Sequence, residues 1–162
     1  MNNDRGTPAE NPAQVFVQII DAEPAVVWNA LTSADFTEQY WHGTRVRSDF
    51  TVGSTVEFLV AGDEVGCVGE VLESDPPLTL SYTWQFPRNP LVRDETPSRV
   101  TFQLEALRAP SGETATRLTV VHDGFPAGSR MPDMVRPGWP AVLAGLKTLL
   151  ETGRTPDFSS MT

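Results

Sequence analysis

Two histidines, one cysteine and a group of strand glutamates are the side chains of this 162-residue sequence best suited to proton transfer, nucleophilic attack or metal binding. His122 shares a period-two face with Leu118 and Val120 in TRLTVVHD, so a titratable ring sits among apolar neighbours. There it can orient a ligand or act as an acid or base. The competing reading, a core histidine hydrogen-bonded to a neighbouring strand or helix, suits the packing pattern around it better. His42 follows Trp41 at the end of a helical stretch, and Cys67 reads as a small apolar strand residue. These three residues lack metal-ligand spacing, so no metal is expected. No glycine-rich phosphate loop occurs, so no nucleotide and no other cofactor is expected. Glu57, Glu70, Glu73 and Glu105 fall on strands, where an inward-facing pair would serve acid–base chemistry if burial raised one pKa. Alternation instead places Glu57 and Glu105 on the wet face, and solvent exposure is the reading adopted for the acids. No catalytic constellation is evident and no catalytic residue is assigned.

Composition narrows the classes further. Twelve basic and 21 acidic side chains give a net charge of −9, which excludes a partner held through nucleic-acid phosphates. The acids are spread along the chain, as expected of charges that keep a protein dispersed. With 40% hydrophobic and 20% charged residues the sequence can build a sizeable core and lacks the signature of disorder. A lone cysteine forms no intrachain disulfide, and no basic-flanked apolar run begins the chain; the expectation is a cytoplasmic protein. No stretch is long and apolar enough for a membrane span.

The elements that must position these residues follow from periodicity. Residues 1–12 are polar and proline-containing and are expected to form a flexible arm. QVFVQII from Gln14 places Val15, Val17 and Ile19 on one face of a first strand. Pro24, with Glu23 at the positive end, starts a short helix to about Leu31 that carries Val27 and Leu31 on one side. Ser33 is expected to cap a second helix through about Gln39, its hydroxyl accepting from the N–H of Asp35 or Phe36. Beyond Gly43 the period becomes two. TVEFLVA alternates Val56, Phe58 and Val60 against Thr55, Glu57 and Leu59, and Gly62-Asp63 turns it into a strand over about Val65–Glu73. Asp75-Pro76-Pro77 breaks the ladder, and LTLSYTWQF then puts Leu78, Leu80, Tyr82, Trp84 and Phe86 on one face. The proline-rich stretch 87–97, with Arg88 and Arg93, is a loop that can lie at the mouth of a cavity. RVTFQLEAL and TRLTVVHD follow as antiparallel strands, the first with Val100, Phe102 and Leu104 on one side. Trp139, Val142, Leu143, Leu146, Leu149 and Leu150 form one stripe on a helix over Gly138–Thr152, with Pro140 in its first turn and Gly153 as its left-handed stop. Residues 156–162 are a C-terminal tail. The order reads β, α, α, six β, α, five of those six strands being located by their alternation.

That order resembles the helix-grip fold of the START-like, or SRPBCC, superfamily, an α+β fold in which a curved antiparallel sheet wraps a long C-terminal helix. Within it the chain is similar to the family named after the C-terminal domain of the activator of heat shock protein 90 ATPase. The likeness rests on VWNALT at 27–32, Trp41, Gly53, Gly69-Glu70-Val71, Asp75-Pro76-Pro77 and LSYTW at 80–84. It continues through TRLTVVHDGF at 116–125 and the helix from Gly138-Trp139 to Gly153, so it spans a single domain at about 13–155. The resemblance implies a cavity between sheet and helix, for which Phe58, Tyr82, Trp84, Phe86, Phe102, His122, Trp139 and Leu143 are the candidate lining residues. A core simply filled by these side chains is the alternative. The expected function is binding of a small hydrophobic or amphipathic ligand, in a stress-response context. One alternative is an enzyme of the cyclase, dehydratase or hydrolase type using His122, Tyr82 and Glu70 in the same cavity. Another is a co-chaperone-like interaction module, although only twelve residues precede the first strand, where the co-chaperones carry a further N-terminal domain. A monomer or homodimer is expected.

Overall fold

The computed structural model describes residues 11–155, so nearly all of the N-terminal arm and the C-terminal tail lie outside the described residues. Seven strands form one antiparallel sheet: β1 (Gln14–Ile20), β2 (Arg45–Arg47), β3 (Thr55–Val60), β4 (Glu64–Asp75), β5 (Thr79–Trp84), β6 (Ser98–Arg108) and β7 (Thr114–Asp123). Their spatial order is β1-β7-β6-β5-β4-β3-β2. Helices α1 (Pro24–Thr32) and α2 (Ala34–Tyr40) connect β1 to β2, and α3 (Met131–Val135) and α4 (Gly138–Thr152) follow β7. The strand not located from the sequence is β2, only three residues long and too short to show alternation. The helix not foreseen is α3, a single turn beginning at Met131-Pro132.

Hydrogen-bonded hairpins account for most of the topology, and two irregularities bend it. Register shifts between Phe58 and Leu59 against β4, and between Val71 and Glu73 against β5. At Gly69 the β4 backbone passes so close to β5 that a Cβ there would lie 1.8 Å from Thr83 O; only glycine fits. The curvature that results leaves β3, β4 and β5 arching over the helical layer.

α4 follows the expected span and stop. Trp139, Val142, Leu143, Leu146 and Leu149 are buried, and Gly153 sits at φ 78° with its N–H on Leu149 O at 2.8 Å. Close approach to α2 depends on Gly145, where a Cβ would lie 3.1 Å from Tyr40 Cβ. The Tyr40 hydroxyl in turn donates to Ala30 O at 2.7 Å, tying α2 to α1.

Three local expectations are corrected. The alternation of Val56, Phe58 and Val60 against Leu59 breaks at the register shift after Phe58, which buries Leu59 and leaves Val60 38% exposed. Val15, Val17 and Ile19 do share a face, the outer one, where they are 58%, 56% and 43% exposed. Both faces of β1 carry apolar groups, and the pair turned inward is Phe16 and Ile20, with Gln14 donating from Nε2 to Pro132 O at 2.8 Å. Leu78 is 47% exposed because it belongs to the turn before β5, its N–H bonded to Asp75 O; the inward row begins at Leu80. Ser33 does stand at the start of α2, but its hydroxyl makes no capping bond. It also ends α1, in extended conformation, and its carbonyl receives the N–H groups of Phe36 and Thr37.

Candidate functional site

A cavity of about 260 Å³ lies between the sheet and the first turns of α4. Its walls come from six places in the chain. Phe58 and Val60 of β3, Gly66 and Cys67 of β4, and Trp84 with Phe86 form the sheet side. Gly138, Trp139 and Val142 of α4 face them, Met134 and Val135 of α3 close one end, and Trp41, His42 and Thr44 close the other. His42 is exposed and Val60 partly so, which brings the cavity to the surface. Farther along α4, Leu146 is fully buried in the core, and the space between helix and sheet there is filled.

Of the residues expected to line a cavity, Phe58, Trp84, Phe86 and Trp139 do so. Tyr82, Phe102, His122 and Leu143 are buried in the packed core beside it. Aromatic rings interlock around the boundary: Trp41 lies 4.8 Å from Phe58 and 5.7 Å from Trp139, and Trp84 lies 5.6 Å from Trp139, centroid to centroid. Such tilted and edge-on contacts hold large side chains in fixed positions. None of the loop residues 87–97 lines the cavity among the described residues, but the loop braces α3. The carboxylate of Glu95 accepts from the Arg130 N–H at 3.0 Å and from the Ser129 hydroxyl, just ahead of that helix.

His122 is the hub behind the wall. The Trp139 indole Nε1–H donates to His122 Nδ1 at 3.1 Å, which leaves the ring proton on Nε2. Nε2 then donates to Ser98 Oγ at 2.7 Å, and Ser98 Oγ donates to Trp84 O at 3.4 Å. Both ring nitrogens are therefore occupied, and the ring is fully buried. Burial pushes its pKa down to about 3, partly opposed by Asp123, whose carboxylate is engaged by Arg99 at 2.8 and 2.9 Å. A ring so held is a neutral structural link joining α4 to the sheet.

The other candidates for chemistry do not converge on it. Burial pushes the Cys67 thiol well above its ordinary pKa, so it stays protonated at neutral pH and is a poor nucleophile. Burial likewise raises the Tyr82 hydroxyl. Glu70 and Glu73 are exposed, while Glu57 pairs with Arg47 at 2.6 Å and Glu105 with Arg117 at 2.8 Å on the outer surface. Among the described residues no three His, Cys, Asp or Glu side chains come together as a metal site would require, and no helix is long and apolar enough to cross a membrane.

The sequence reading missed the end of the cavity built from Trp41, His42 and Thr44, and the α3 end. One signal was present, the Trp41-His42-Gly43 helix stop: His42 turns the chain at φ 53°, and the turn carries Trp41 inward. Nothing in the spacing of Met134 and Val135 announced a wall.

A bent antiparallel sheet gripping a C-terminal helix defines the helix-grip, START-like class of proteins. The chain belongs to the Activator of Hsp90 ATPase homolog 1-like family, whose model matches residues 21–151. Among solved structures, one of a Mesorhizobium loti protein aligns at 28% identity over 86% of this chain and 97% of that one, with a TM-score of 0.69. The Aha1 dimer from Colwellia psychrerythraea aligns at 22% identity over 88% and 98%, with a TM-score of 0.68. An Hsp90 activator from Plasmodium falciparum aligns at 20% identity over 86% and 96%, with a TM-score of 0.69. No curated protein matches the chain.

Proposed function

We propose that this chain binds a small hydrophobic or amphipathic molecule in the cavity beneath the start of α4, as a single START-like domain and without catalysing a reaction on it. The observation that carries this reading is an aromatic-walled space of about 260 Å³ beside a core that is otherwise filled. Apolar, largely preformed concavities with few polar groups are where small ligands bind. Among the described residues the titratable side chains of the wall are His42 and Cys67, the latter kept protonated by burial, and His122 behind it has spent both nitrogens on structural partners, which favours binding over catalysis.

The test is a thermal-shift panel of compounds of about a dozen heavy atoms, run on the native chain and on Val142→Phe, which puts a ring into the space. Compounds that raise Tm in the native chain and not in the variant support the reading. A panel with no effect on the native chain refutes it.

A chaperone-directed role is the second reading, favoured by the likeness to an Hsp90 activator and to Aha1. Stimulation of Hsp90 ATPase by the purified chain would support it; no stimulation and no co-purification would exclude it. Either role suits a cytoplasmic protein acting under stress, as monomer or homodimer.

A further inference from the structure

We propose that two copies of this chain pair through the outer face of the sheet over β1, β7, β6 and β5, about a two-fold axis that lies between the facing sheets and runs across the strands. The pairing selects the homodimer and is independent of what the cavity holds, because this face is turned away from the core and the helices.

Strand register sets the side chains of this face in rows. Two uncharged rows cross its middle, one through Val15, Val121 and Thr101 and the next through Val17, Thr119 and Gln103. A charged row closes each end: Asp123 pairs with Arg99 at 2.8 Å at one, and Arg117 with Glu105 at 2.8 Å at the other. Val15 and Val17 are each more than half exposed, and Ile19 continues their stripe, so among the described residues nothing covers this apolar border.

Charge picks out the partner. The chain carries −9 overall, so copies repel over most of their surface, but here two arginines meet two carboxylates. Their order along each strand then singles out a second copy. β7 carries Arg117 at one end of the uncharged band and Asp123 at the other, while β6 carries Arg99 and Glu105 in the opposite sense. A half-turn about an axis across the strands, passing between the two uncharged rows, exchanges the ends. Asp123 then lies over the partner's Arg117, and Arg99 over the partner's Glu105. The same half-turn sets Val15 on the partner's Val17. An axis along the strands, between β7 and β6, also opposes unlike charges, but it lays the β1 valines on Ser81 and Thr79 of β5, where less apolar surface leaves water.

Size sets the strength. Four strands about 4.8 Å apart and four rows about 6.8 Å apart give a footprint of roughly 500 Å² on each copy. Both copies together bury about 1,000 Å², the low end for a specific interface, so the dimer is reversible with a Kd on the order of 50 µM.

The experiment is sedimentation equilibrium on the full chain from about 5 to about 500 µM. The native chain should pass from monomer to dimer across this range, and Val17→Lys, which sets a charge against the partner's valine, should stay monomeric. Arg117→Glu and Asp123→Arg should each be monomeric alone, because like charges then face one another across the axis. Mixed in equal amounts, the two should associate at least about tenfold more tightly than either alone, since the new glutamate of one meets the new arginine of the other. An axis along the strands gives no such rescue, because the new glutamate would meet Glu105 and the new arginine Arg99. Should Val17→Lys fail to fold, the charge-exchanged pair decides on its own. A native chain that is monomeric throughout, a Val17→Lys variant that dimerises like the native chain, or no rescue on mixing overturns the inference, and each leaves the thermal-shift test of ligand binding untouched.

Discussion

Acid should weaken this fold through one residue, and the size of the effect follows from the geometry. His122 is neutral in the folded chain down to a pKa of about 3, because the ring is buried and its Nδ1 accepts from Trp139. In the unfolded chain it titrates near 6.5. The folded pKa is depressed, so the contribution is complete above pH 6.5 and is lost as pH falls from there toward 3. Within that window the unfolded chain holds up to one more proton, and stability falls by about 1.4 kcal/mol per pH unit. At pH 4.5 the cumulative loss is about 2.7 kcal/mol from this residue. Protonating the folded ring offers no escape, since Nδ1–H would then face the Trp139 N–H. The perturbation is His122→Asn, assayed by urea unfolding from pH 8 to pH 4.5. At pH 8 the variant should be less stable by about 1–3 kcal/mol, the usual cost of leaving buried partners poorly satisfied. The difference should then shrink by about 2.7 kcal/mol at pH 4.5, because only the native chain carries the histidine term. Two unfolding free energies that stay parallel across this range would show that His122 takes up its proton as readily folded as unfolded, and the account of a sealed hub would fail.

Further predictions concern the frame of the cavity. Gly69→Ala should destabilise by more than about 2 kcal/mol, because the added carbon meets the Thr83 carbonyl, a backbone atom that cannot swing away; urea midpoints would check this. Glu95→Ala should cost about 1 kcal/mol by freeing the N–H and hydroxyl ahead of α3, and should raise hydrogen exchange at Arg130 and Met131 more than in β6 or β7. Cys67 should react only as fast as the chain opens with a thiol reagent too bulky for the cavity it lines; rapid modification of the folded protein by such a reagent would contradict its burial.

What the sequence reveals here depends on how local the determining pattern is. The α4 stripe and the row from Leu80 to Trp84 are legible because each repeats a single period against one dry layer. β1 shows the limit: alternation groups Val15, Val17 and Ile19 but does not say which side the helix takes, and Phe16 with Ile20 wins the interior. Leu78 continues the row in sequence and leaves it in space, because a turn ends just before the ladder resumes. Four lining residues, Phe58, Trp84, Phe86 and Trp139, were readable as aromatic strand and helix positions. The parts from Trp41 to Thr44 and at Met134 and Val135 are brought there by turns and a one-turn helix, whose placement is set by packing between distant segments.

The two ends of the sheet bear on how copies of this chain behave when crowded. At one end β2 offers only three residues for a newcomer to pair with. At the other, β1 is longer and uncharged, yet the Lys147 ammonium sits on the Ile19 carbonyl at 2.6 Å and Glu151 occupies the Asp21 N–H at 2.8 Å. A strand arriving at that border must first displace a charged side chain that is itself clasped to its helical neighbour at 2.8 Å. The same helix that walls the cavity thus also stands sentry against ribbon growth, so trimming Lys147 and Glu151 together to alanine would unlock a route to fibrous polymer while leaving the interior intact.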